Sequence, residues 1–264
     1  MDPENQETKF AMNGTHAKAA LITGAAKRIG RAIALRLAHA GYAVALHANR
    51  SGADADALAR EIEAFGGKAC IVTADLTDPQ AIDALVAKAR AKLGPLSLLV
   101  NNASLFEADE FGAMKPGLWD QHFAVNIRAP IFLSQSFAAQ AGDGASIVNI
   151  LDQRVLRLTP RSFSYSLSKS ALFSATTMMA QALAPSIRVN AVAPGPTLMN
   201  ARQSADDFAD EARSVPLGSG PDPDEIADAV LYLAQARSVT GMTIAVDGGQ
   251  HLDWRTPDAI SNVE

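Results

Sequence analysis

A tyrosine and a lysine four residues apart give the clearest chemical signal in the sequence. Tyr165 and Lys169 stand in the run Tyr-Ser-Leu-Ser-Lys, and on a helix this spacing places both side chains on one face. A free tyrosine has a pKa of about 10, which is too high for easy proton exchange at neutral pH. A nearby lysine cation favours the phenolate, so the pair predicts a proton donor with a lowered pKa. Such a pair also arises by chance, so its meaning depends on the rest of the chain.

The chain around this pair alternates short apolar runs with stretches of helical periodicity. The first apolar run, residues 18–23, ends at a glycine, and apolar residues then recur at helical spacing from Ile29 to Ala40. Near-continuous apolar strands between helices indicate a parallel sheet covered on both faces and joined by right-handed crossovers. We therefore predict a single doubly wound α/β domain of the Rossmann type, with a parallel seven-stranded sheet flanked by helices.

The domain is predicted to lie between a leader and a tail. Residues 1–17 are polar and are interpreted as a flexible leader, residues 18–250 as the folded domain and residues 251–264 as a C-terminal tail. Residues 194–221 are rich in Pro, Gly, Ser and Asp, with one short predicted helix at Ala205–Arg213. Long irregular segments of compact domains are typically lids or binding loops, so we predict a substrate loop here. The alternative is a disordered surface insertion.

Composition and charge argue against several classes of protein. The formal net charge of −5 disfavours a nucleic-acid or anionic-membrane binder, because both surfaces attract basic proteins. The single cysteine cannot form an intrachain disulfide, and no run approaches the roughly 20 apolar residues of a membrane span. We expect a cytoplasmic protein without nucleic-acid or membrane partners, and we predict no metal site.

A glycine-containing turn between the first strand and the first helix predicts a dinucleotide site. It reads Thr-Gly-Ala-Ala-Lys-Arg-Ile-Gly, from Thr23 to Gly30. Glycines allow the backbone to approach a pyrophosphate, and the helix N-terminus offers free N–H donors and the positive end of its dipole. The candidate cofactor-binding residues of this turn are Gly24, Lys27, Arg28, Ile29 and Gly30.

The end of the second strand predicts which dinucleotide binds. An NAD site usually has an acidic residue here for the ribose 2′-hydroxyl, but the stretch that follows this strand, from His47 onward, has no acid until Asp54. Arg50 can instead bind a 2′-phosphate through its fork of donors, with Lys27 adding charge. The sequence therefore favours NADP(H). The neighbouring candidate hydrogen-bond donors are His47, Asn49 and Ser51.

The motifs and their order resemble those of the short-chain dehydrogenase/reductase family over about residues 18–250. The resemblance depends on Thr23-Gly24 with Gly30, Asp75, Asn101-Asn-Ala103, Asn126, Tyr165 with Lys169, and Pro194-Gly195. It implies cofactor contacts from Asp75, Leu76, Asn102, Ala103, Tyr165, Lys169, Pro194, Gly195 and Thr197. It also implies hydride transfer from the nicotinamide C4 while Tyr165 supplies the proton. Lys169 would lower the Tyr165 pKa and bind the nicotinamide ribose, and Asn126 would hold a water that links Lys169 to solvent.

Two positions depart from the usual family pattern. Arg28 replaces the middle glycine of the glycine motif, and Asp152 replaces the catalytic serine thirteen residues before the tyrosine. Both changes resemble pteridine reductases and their dihydromonapterin or dihydrofolate reductase relatives. Those proteins also share a His-x-x-Arg-Ser stretch, here His47–Ser51, and an Asn-Asn-Ala-Ser-x-Phe stretch, here ending at Phe106.

The chemistry of a pterin explains these exchanges. Phe106 can stack on the flat ring, opposite the nicotinamide, and Ser104 lies two residues before it. Arg28 can donate to a pterin oxygen or ring nitrogen while neutralising phosphate. Asp152 can accept from ring N–H or amino groups and, with Tyr165, deliver a proton to an imine. The alternatives are a structural carboxylate paired with Lys169 or Arg154, phosphate binding alone for Arg28, and loop packing for Phe106.

The sequence thus predicts an NADPH-dependent reductase that converts dihydropterin to tetrahydropterin, with dihydrofolate as a further candidate substrate. The first alternative is a ketone or quinone reductase of the same family, against which Asp152 argues. The second is a non-catalytic NADP-binding sensor, against which Tyr165, Lys169 and Asn126 argue. The resemblance also implies a homotetramer, with the helices around residues 118–140 and 164–182 forming a dimer face.

Overall fold

The structure is a computed structural model that describes residues 18–200 and 202–254. The predicted leader, residues 1–17, and residues 255–264 of the predicted tail lie outside the described residues. In the part that is described, no helix has both the length and the apolar character needed to cross a membrane.

Seven parallel strands form one sheet, as predicted. The sheet order is β3-β2-β1-β4-β5-β6-β7. Strands β2 and β3 extend the sheet on one side of β1, and β4 to β7 extend it on the other side, so the strand order shows a reversal between β1 and β4. Ligands of doubly wound folds bind at the carboxyl ends of the strands beside such a reversal. The strands are β1 (Ala19–Ile22), β2 (Ala43–Ala48), β3 (Ala69–Thr73), β4 (Leu98–Asn101), β5 (Ala145–Ile150), β6 (Ile187–Pro194) and β7 (Thr243–Val246).

Helices cover both faces of the sheet. Ile33, Leu37 and Val230 are fully buried on one face, while Leu85 and Phe137 are fully buried on the other. Each such side chain contributes roughly 1.5–3 kcal/mol through its removal from water. The helices are α1 (Arg28–His39), α2 (Gly52–Ala64), α3 (Pro79–Leu93), α4 (Pro116–Phe123), α5 (Ala129–Ala138), α6 (Phe163–Leu183), α7 (Ala205–Arg213) and α8 (Pro223–Gln235).

The helix predicted as one element over residues 118–140 is interrupted. A π-helical segment, Ala124–Arg128, joins α4 to α5. Pro130 lies at the start of α5, and proline has no N–H to donate to the carbonyl four residues earlier, at Asn126. The ring of Pro130 also crowds that carbonyl, so the chain widens by one residue at this point. Asn126 therefore lies in the widened turn.

Candidate active site

The carboxyl ends of the strands open into a cleft of about 860 Å³. The cleft receives residues from the turn after β1, the ends of β2, β3, β4 and β5, helix α6 and the segment after β6. Two predicted site residues, Ser51 and Asn126, do not line it. The predicted site residues that line it are Gly24, Lys27, Arg28, Ile29, Gly30, His47, Asn49, Arg50, Asp75, Leu76, Asn102, Ala103, Ser104, Phe106, Asp152, Tyr165, Lys169, Pro194, Gly195 and Thr197.

The glycine turn presents backbone rather than side chains to the cleft. A Cβ on Gly30 would lie 2.2 Å from the carbonyl oxygen of Gly24, so no larger residue fits there. Gly24 has a φ of +63°, which favours glycine. Asn102 Nδ2 donates to the carbonyls of Thr23 (2.8 Å) and Gly24 (3.0 Å), which ties the turn to the end of β4. This close backbone surface fits a dinucleotide pyrophosphate.

Arg28 takes up the left-handed conformation of the glycine that it replaces, with a φ of +54°. Its guanidinium donates to the carbonyl oxygens of Leu198 (2.9 Å) and Met199 (2.8 Å) in the segment after β6. Arg28 therefore holds this segment against the glycine turn. Its contacts with phosphate or substrate stay a prediction.

The exposed rim at the end of β2 offers a cationic site. Asn49 and Arg50 are exposed and line the cleft, whereas Ser51 precedes helix α2 away from it. Lys27, expected to add charge, forms a salt bridge of 2.9 Å with Asp54. An exposed arginine at this rim fits a 2′-phosphate.

Asp75, at the end of β3, lies at the same rim and accepts hydrogen bonds from Thr77 N (2.9 Å) and Thr77 Oγ1 (2.8 Å). These hydrogen bonds are the main reason that the pKa of Asp75 lies below its usual value. Asp75 is therefore held as an ionised acceptor beside Arg50.

His47 has a structural role, which corrects the expectation that it hydrogen-bonds the 2′-phosphate. Its Nδ1 accepts from Gly24 N–H (3.1 Å), and its Nε2 lies 3.2 Å from the Ala74 carbonyl oxygen. The ring is 2% exposed, and this burial lowers its pKa, so the imidazole is neutral. Both ring nitrogens are occupied in connecting the glycine turn to the end of β3.

Tyr165 and Asp152 are in direct contact on the floor of the cleft. The Tyr165 hydroxyl donates to Asp152 Oδ2 over 2.9 Å. Asp152 follows β5, and Tyr165 lies in the first turn of α6, so two separate elements bring the pair together. Lys169, one turn further along α6, is 2% exposed, and its Nζ donates to the Ile150 carbonyl oxygen over 2.8 Å. The predicted shared face of Tyr165 and Lys169 is present in the helix.

The expectation that Lys169 lowers the Tyr165 pKa is wrong for this structure. Burial and the neighbouring Asp152 charge raise the Tyr165 pKa well above its usual value. Lys169 Nζ lies 5.9 Å from the centre of the tyrosine ring and is directed to a backbone carbonyl. Burial also lowers the pKa of Lys169 itself to about 8.

Arg154 is a member of this cluster that the sequence treated only as an alternative partner of Asp152. Its Nη1 lies 3.0 Å from Asp152 Oδ2, the same oxygen that accepts from Tyr165. Its backbone N–H donates to Asp152 Oδ1 over 2.9 Å, because Asp152 caps the short 3-10 helix Gln153–Val155. An Asp-x-Arg run directly after a strand is the sequence signal that indicates this capped pair.

The side chain of Asn126 does not line the cleft, and the water that Asn126 would hold stays a prediction. Its Oδ1 accepts from Leu105 N–H (2.9 Å) and Ser104 Oγ (3.2 Å). Its Nδ2 donates to the Leu105 carbonyl (2.9 Å) and Ser168 Oγ (3.0 Å). The side chain is fully buried with its hydrogen-bonding capacity filled by protein. It fixes the segment after β4 to helix α6.

Phe106 lies beside the proton donor. Its ring meets the Tyr165 ring edge-on, with centroids 4.6 Å apart. The guanidinium carbons of Arg154 and Arg202 lie 5.5 and 5.3 Å from the Phe106 ring centroid. This combination of an aromatic ring with nearby cations suits a flat, polar-edged ligand.

The segment of residues 194–221 forms part of the cleft wall. Its predicted helix Ala205–Arg213 is confirmed, and Phe208 and Glu211 of that helix line the cleft. Arg202 donates to the Phe106 carbonyl oxygen over 2.9 Å and pairs with Glu107. Arg28 therefore ties this segment to the glycine turn, and Arg202, within the segment, ties it to the stretch after β4.

Known proteins resemble this chain along most of its length. The family model described as "Enoyl-(Acyl carrier protein) reductase" matches residues 24–251. The chain is 48% identical to the crystal structure of FolM alternative dihydrofolate reductase 1 from Brucella canis complexed with NADP. That match covers 91% of this chain and 96% of the other, with a TM-score of 0.89.

Curated relatives carry varied names. An uncharacterised oxidoreductase of Methylorubrum extorquens is 37% identical over 246 residues, which cover 90% of this chain and 99% of that protein. The 3-oxoacyl-[acyl-carrier-protein] reductase FabG of Staphylococcus aureus is 31% identical over 242 residues, which cover 89% and 98%.

These matches and the site define an oxidoreductase. The chain belongs to the short-chain dehydrogenase/reductase family, as its motifs predicted. The FolM structure with NADP agrees with the cofactor predicted from Arg50.

Proposed function

We propose that this protein is an NADPH-dependent reductase of pteridines that converts dihydropterin to tetrahydropterin, with dihydrofolate as a further candidate substrate. The observation that carries the proposal is the 2.9 Å hydrogen bond between Tyr165 and Asp152. A serine at position 152 would offer one hydroxyl, whereas a carboxylate offers two oxygens to the N–H and amino groups at the edge of a pterin. The similarity to a protein named alternative dihydrofolate reductase supports the same substrate class.

Backbone groups of the glycine turn and side chains at the rim of the cleft would hold the cofactor. The backbone of Gly24 and Gly30 would approach the pyrophosphate, and Arg50 would bind the 2′-phosphate. Lys169, buried beside Tyr165, would donate to the nicotinamide ribose. When bound, NADPH supplies the hydride.

The protein groups then position the substrate and provide the proton. Phe106 would hold one face of the pterin ring, next to Tyr165. Asp152 would accept from the ring edge, and the Tyr165 hydroxyl would give its proton to the imine nitrogen as the adjacent carbon is reduced. Phe208 and Glu211 would close the cleft from the segment of residues 194–221, the proposed substrate loop.

A ketone or quinone reductase is the second candidate. The similarity to a 3-oxoacyl reductase favours it, since that name describes carbonyl reduction. Asp152 argues against it, because a carbonyl oxygen that gains charge is disfavoured beside a carboxylate.

A substrate panel separates the two functions. NADPH oxidation is followed by absorbance with dihydromonapterin, dihydrobiopterin, dihydrofolate and a set of ketones and quinones. We expect turnover with at least one pteridine, and kcat/KM lower by roughly fivefold in Phe106→Leu through lost stacking. Phe111→Leu, an exposed ring outside the cleft lining, is the matched control and should match wild type. Turnover with ketones or quinones and with no pteridine would contradict the proposal.

Homotetrameric assembly and a cytoplasmic location belong to the same proposal. Three partly exposed apolar side chains, Phe132, Leu167 and Met178, lie on helices α5 and α6, where the dimer face is expected. Size-exclusion chromatography with light scattering measures the assembly.

A further inference from the structure

The Asp152–Tyr165 contact contains an electrostatic conflict. When Tyr165 gives up its proton, a phenolate forms within 2.9 Å of a carboxylate oxygen. Tyr165 is 5% exposed, so water screens the two charges poorly. A serine in place of Asp152 would create no such repulsion. An aspartate in place of serine at position 152 therefore requires a nearby positive charge that offsets this repulsion.

Arg154 is in the right position to provide it. Its guanidinium lies 3.0 Å from the Asp152 oxygen that Tyr165 contacts, and its side chain is 24% exposed. The backbone N–H of Arg154 also binds the other carboxylate oxygen, so one residue holds both oxygens of Asp152. Within the described residues, Arg154 is the cation that forms an ion pair with Asp152.

The other charged groups around Tyr165 come from separate elements. Lys169 of α6 donates to the Ile150 carbonyl. His122 of α4 has its ring centre 6.1 Å from that of Tyr165 and contacts Ser164, which bonds Asp109. Glu211 of α7 lies close enough to Arg154 to raise the Arg154 pKa. Among the described residues, neither Lys169 nor His122 forms a hydrogen bond or ion pair with the Asp152 carboxylate.

We propose that Arg154 is a positioning residue that orients the Asp152 carboxylate and offsets its charge, so that Tyr165 can release its proton beside an acid. The proposal rests on the proposed function only in that Tyr165 is the proton donor. It applies equally to any substrate that accepts that proton. The Arg154 charge also acts to lower the Tyr165 pKa, which agrees with the geometry.

The direction of the effect follows from the charges. Reduction requires Tyr165 protonated, so the rate falls as pH rises through the Tyr165 pKa. Loss of the Arg154 cation leaves the Asp152 charge uncompensated, which raises that pKa and makes Tyr165 a weaker acid. The plateau rate should therefore fall, while the alkaline limb of the pH profile should move to higher pH.

Four variants test the proposal through pH profiles of kcat and kcat/KM. Arg154→Met should lower the plateau by roughly tenfold or more and raise the alkaline pKa by about one unit. Arg154→Lys, which keeps the charge, should stay closer to wild type. Asp152→Ser removes the repulsion, so Asp152→Ser with Arg154→Met should equal Asp152→Ser alone within about twofold. Arg157→Met, an ion-paired arginine outside the cleft lining, is the control.

Opposite outcomes overturn the proposal. A lower plateau in Arg154→Met with an unmoved alkaline limb indicates a purely structural role. Equal losses from Arg154→Met with and without the Asp152 carboxylate indicate that Arg154 acts on something else. NADPH fluorescence titration checks that each variant folds and binds cofactor.

Failure of the proposed function is seen separately. If wild type reduces quinones or ketones but no pteridine, the proposed function fails, and the same variants are compared on the substrate that reacts. If no substrate reacts, the ring resonance of Tyr165 is titrated in NADP⁺-bound protein, with Tyr165→Phe for assignment. It should titrate at higher pH in Arg154→Met, and an identical titration overturns the proposal.

Discussion

The Tyr165 hydroxyl donates to Asp152 Oδ2 over 2.9 Å, across a separation of thirteen residues. The carboxylate follows strand β5, which is fully buried, and the phenol lies on the buried side of helix α6. A phenol that is hydrogen-bonded to a carboxylate keeps its proton until a substrate draws it away. Such a pair suits protonation of a nitrogen, which becomes neutral or cationic rather than anionic as the proton arrives.

Replacement of the proton donor should remove turnover. Tyr165→Phe deletes only the hydroxyl, so we expect kcat to fall by roughly 10²–10⁴-fold with the pteridine substrate. NADPH affinity, measured by fluorescence titration, should stay within about twofold, because the cofactor contacts proposed for Gly24, Gly30 and Arg50 are unchanged. Retained turnover in Tyr165→Phe would show that another group supplies the proton.

The carboxylate should determine the choice between substrates. Asp152→Ser restores the usual family residue and removes a charge that raises the Tyr165 pKa. We expect kcat/KM for dihydropterin to fall by about tenfold or more, since lost hydrogen bonds to charged groups contribute roughly 1.5–3 kcal/mol. Activity toward a quinone should be unchanged or higher. A similar loss for both substrates would mean that Asp152 has a structural role only.

Arg50 should distinguish NADPH from NADH. Arg50→Ala removes the proposed partner of the 2′-phosphate, so the Kd for NADPH should rise by roughly tenfold or more. The Kd for NADH, which lacks that phosphate, should change little. Arg60→Ala, another exposed arginine, on helix α2, is the matched control. Equal weakening for both cofactors in Arg50→Ala would place its contribution elsewhere.

Lys169 should reduce stability while it supports function. Burial lowers its pKa from 10.5 to about 8, so the folded protein carries a costly buried cation at neutral pH. Lys169→Met should raise the free energy of unfolding at pH 7, by on the order of a few kcal/mol, while turnover is lost. Loss of the donor to the Ile150 carbonyl reduces that gain.

The sign of the pH dependence makes this prediction specific. The unfolded lysine titrates near 10.5 and the folded one near 8, so wild type gains stability as pH rises between these values. The advantage of Lys169→Met, measured by chemical denaturation, should therefore shrink from pH 8 toward pH 10.5. A difference that is independent of pH would contradict a buried charged lysine.

Much of the fold could be predicted because each strand is a short apolar run that ends at polar or glycine residues. The clustering of the motif residues could also be predicted, because the carboxyl ends of all strands in a parallel sheet lie at the same end of the sheet. Local hydrogen bonding could not be predicted. His47 and Asn126 are polar residues at the expected positions, but neighbouring backbone groups of the protein occupy their side chains. Which partner satisfies a polar group depends on distances of a few tenths of an ångström, which sequence patterns do not contain.

Two further differences between the predictions from sequence and the structure also arise from local contacts. The π-helical segment depends on how the chain adjusts around Pro130, and a helical pattern of apolar residues does not reveal it. The Tyr165 pKa depends on burial and on the neighbouring Asp152 charge, whereas the four-residue spacing to Lys169 indicates only a shared face.

The central claim is that this site transfers a hydride to a pteridine while the Tyr165–Asp152 pair supplies the proton. The most direct test uses NADPH deuterated at the nicotinamide C4, with both epimers prepared separately, and dihydropterin as the substrate. Mass spectrometry of the tetrahydropterin product should show one carbon-bound deuterium from one epimer only, and Tyr165→Phe should abolish its formation. Absence of label from any pteridine, with label recovered in the alcohol formed from a ketone, would contradict the account.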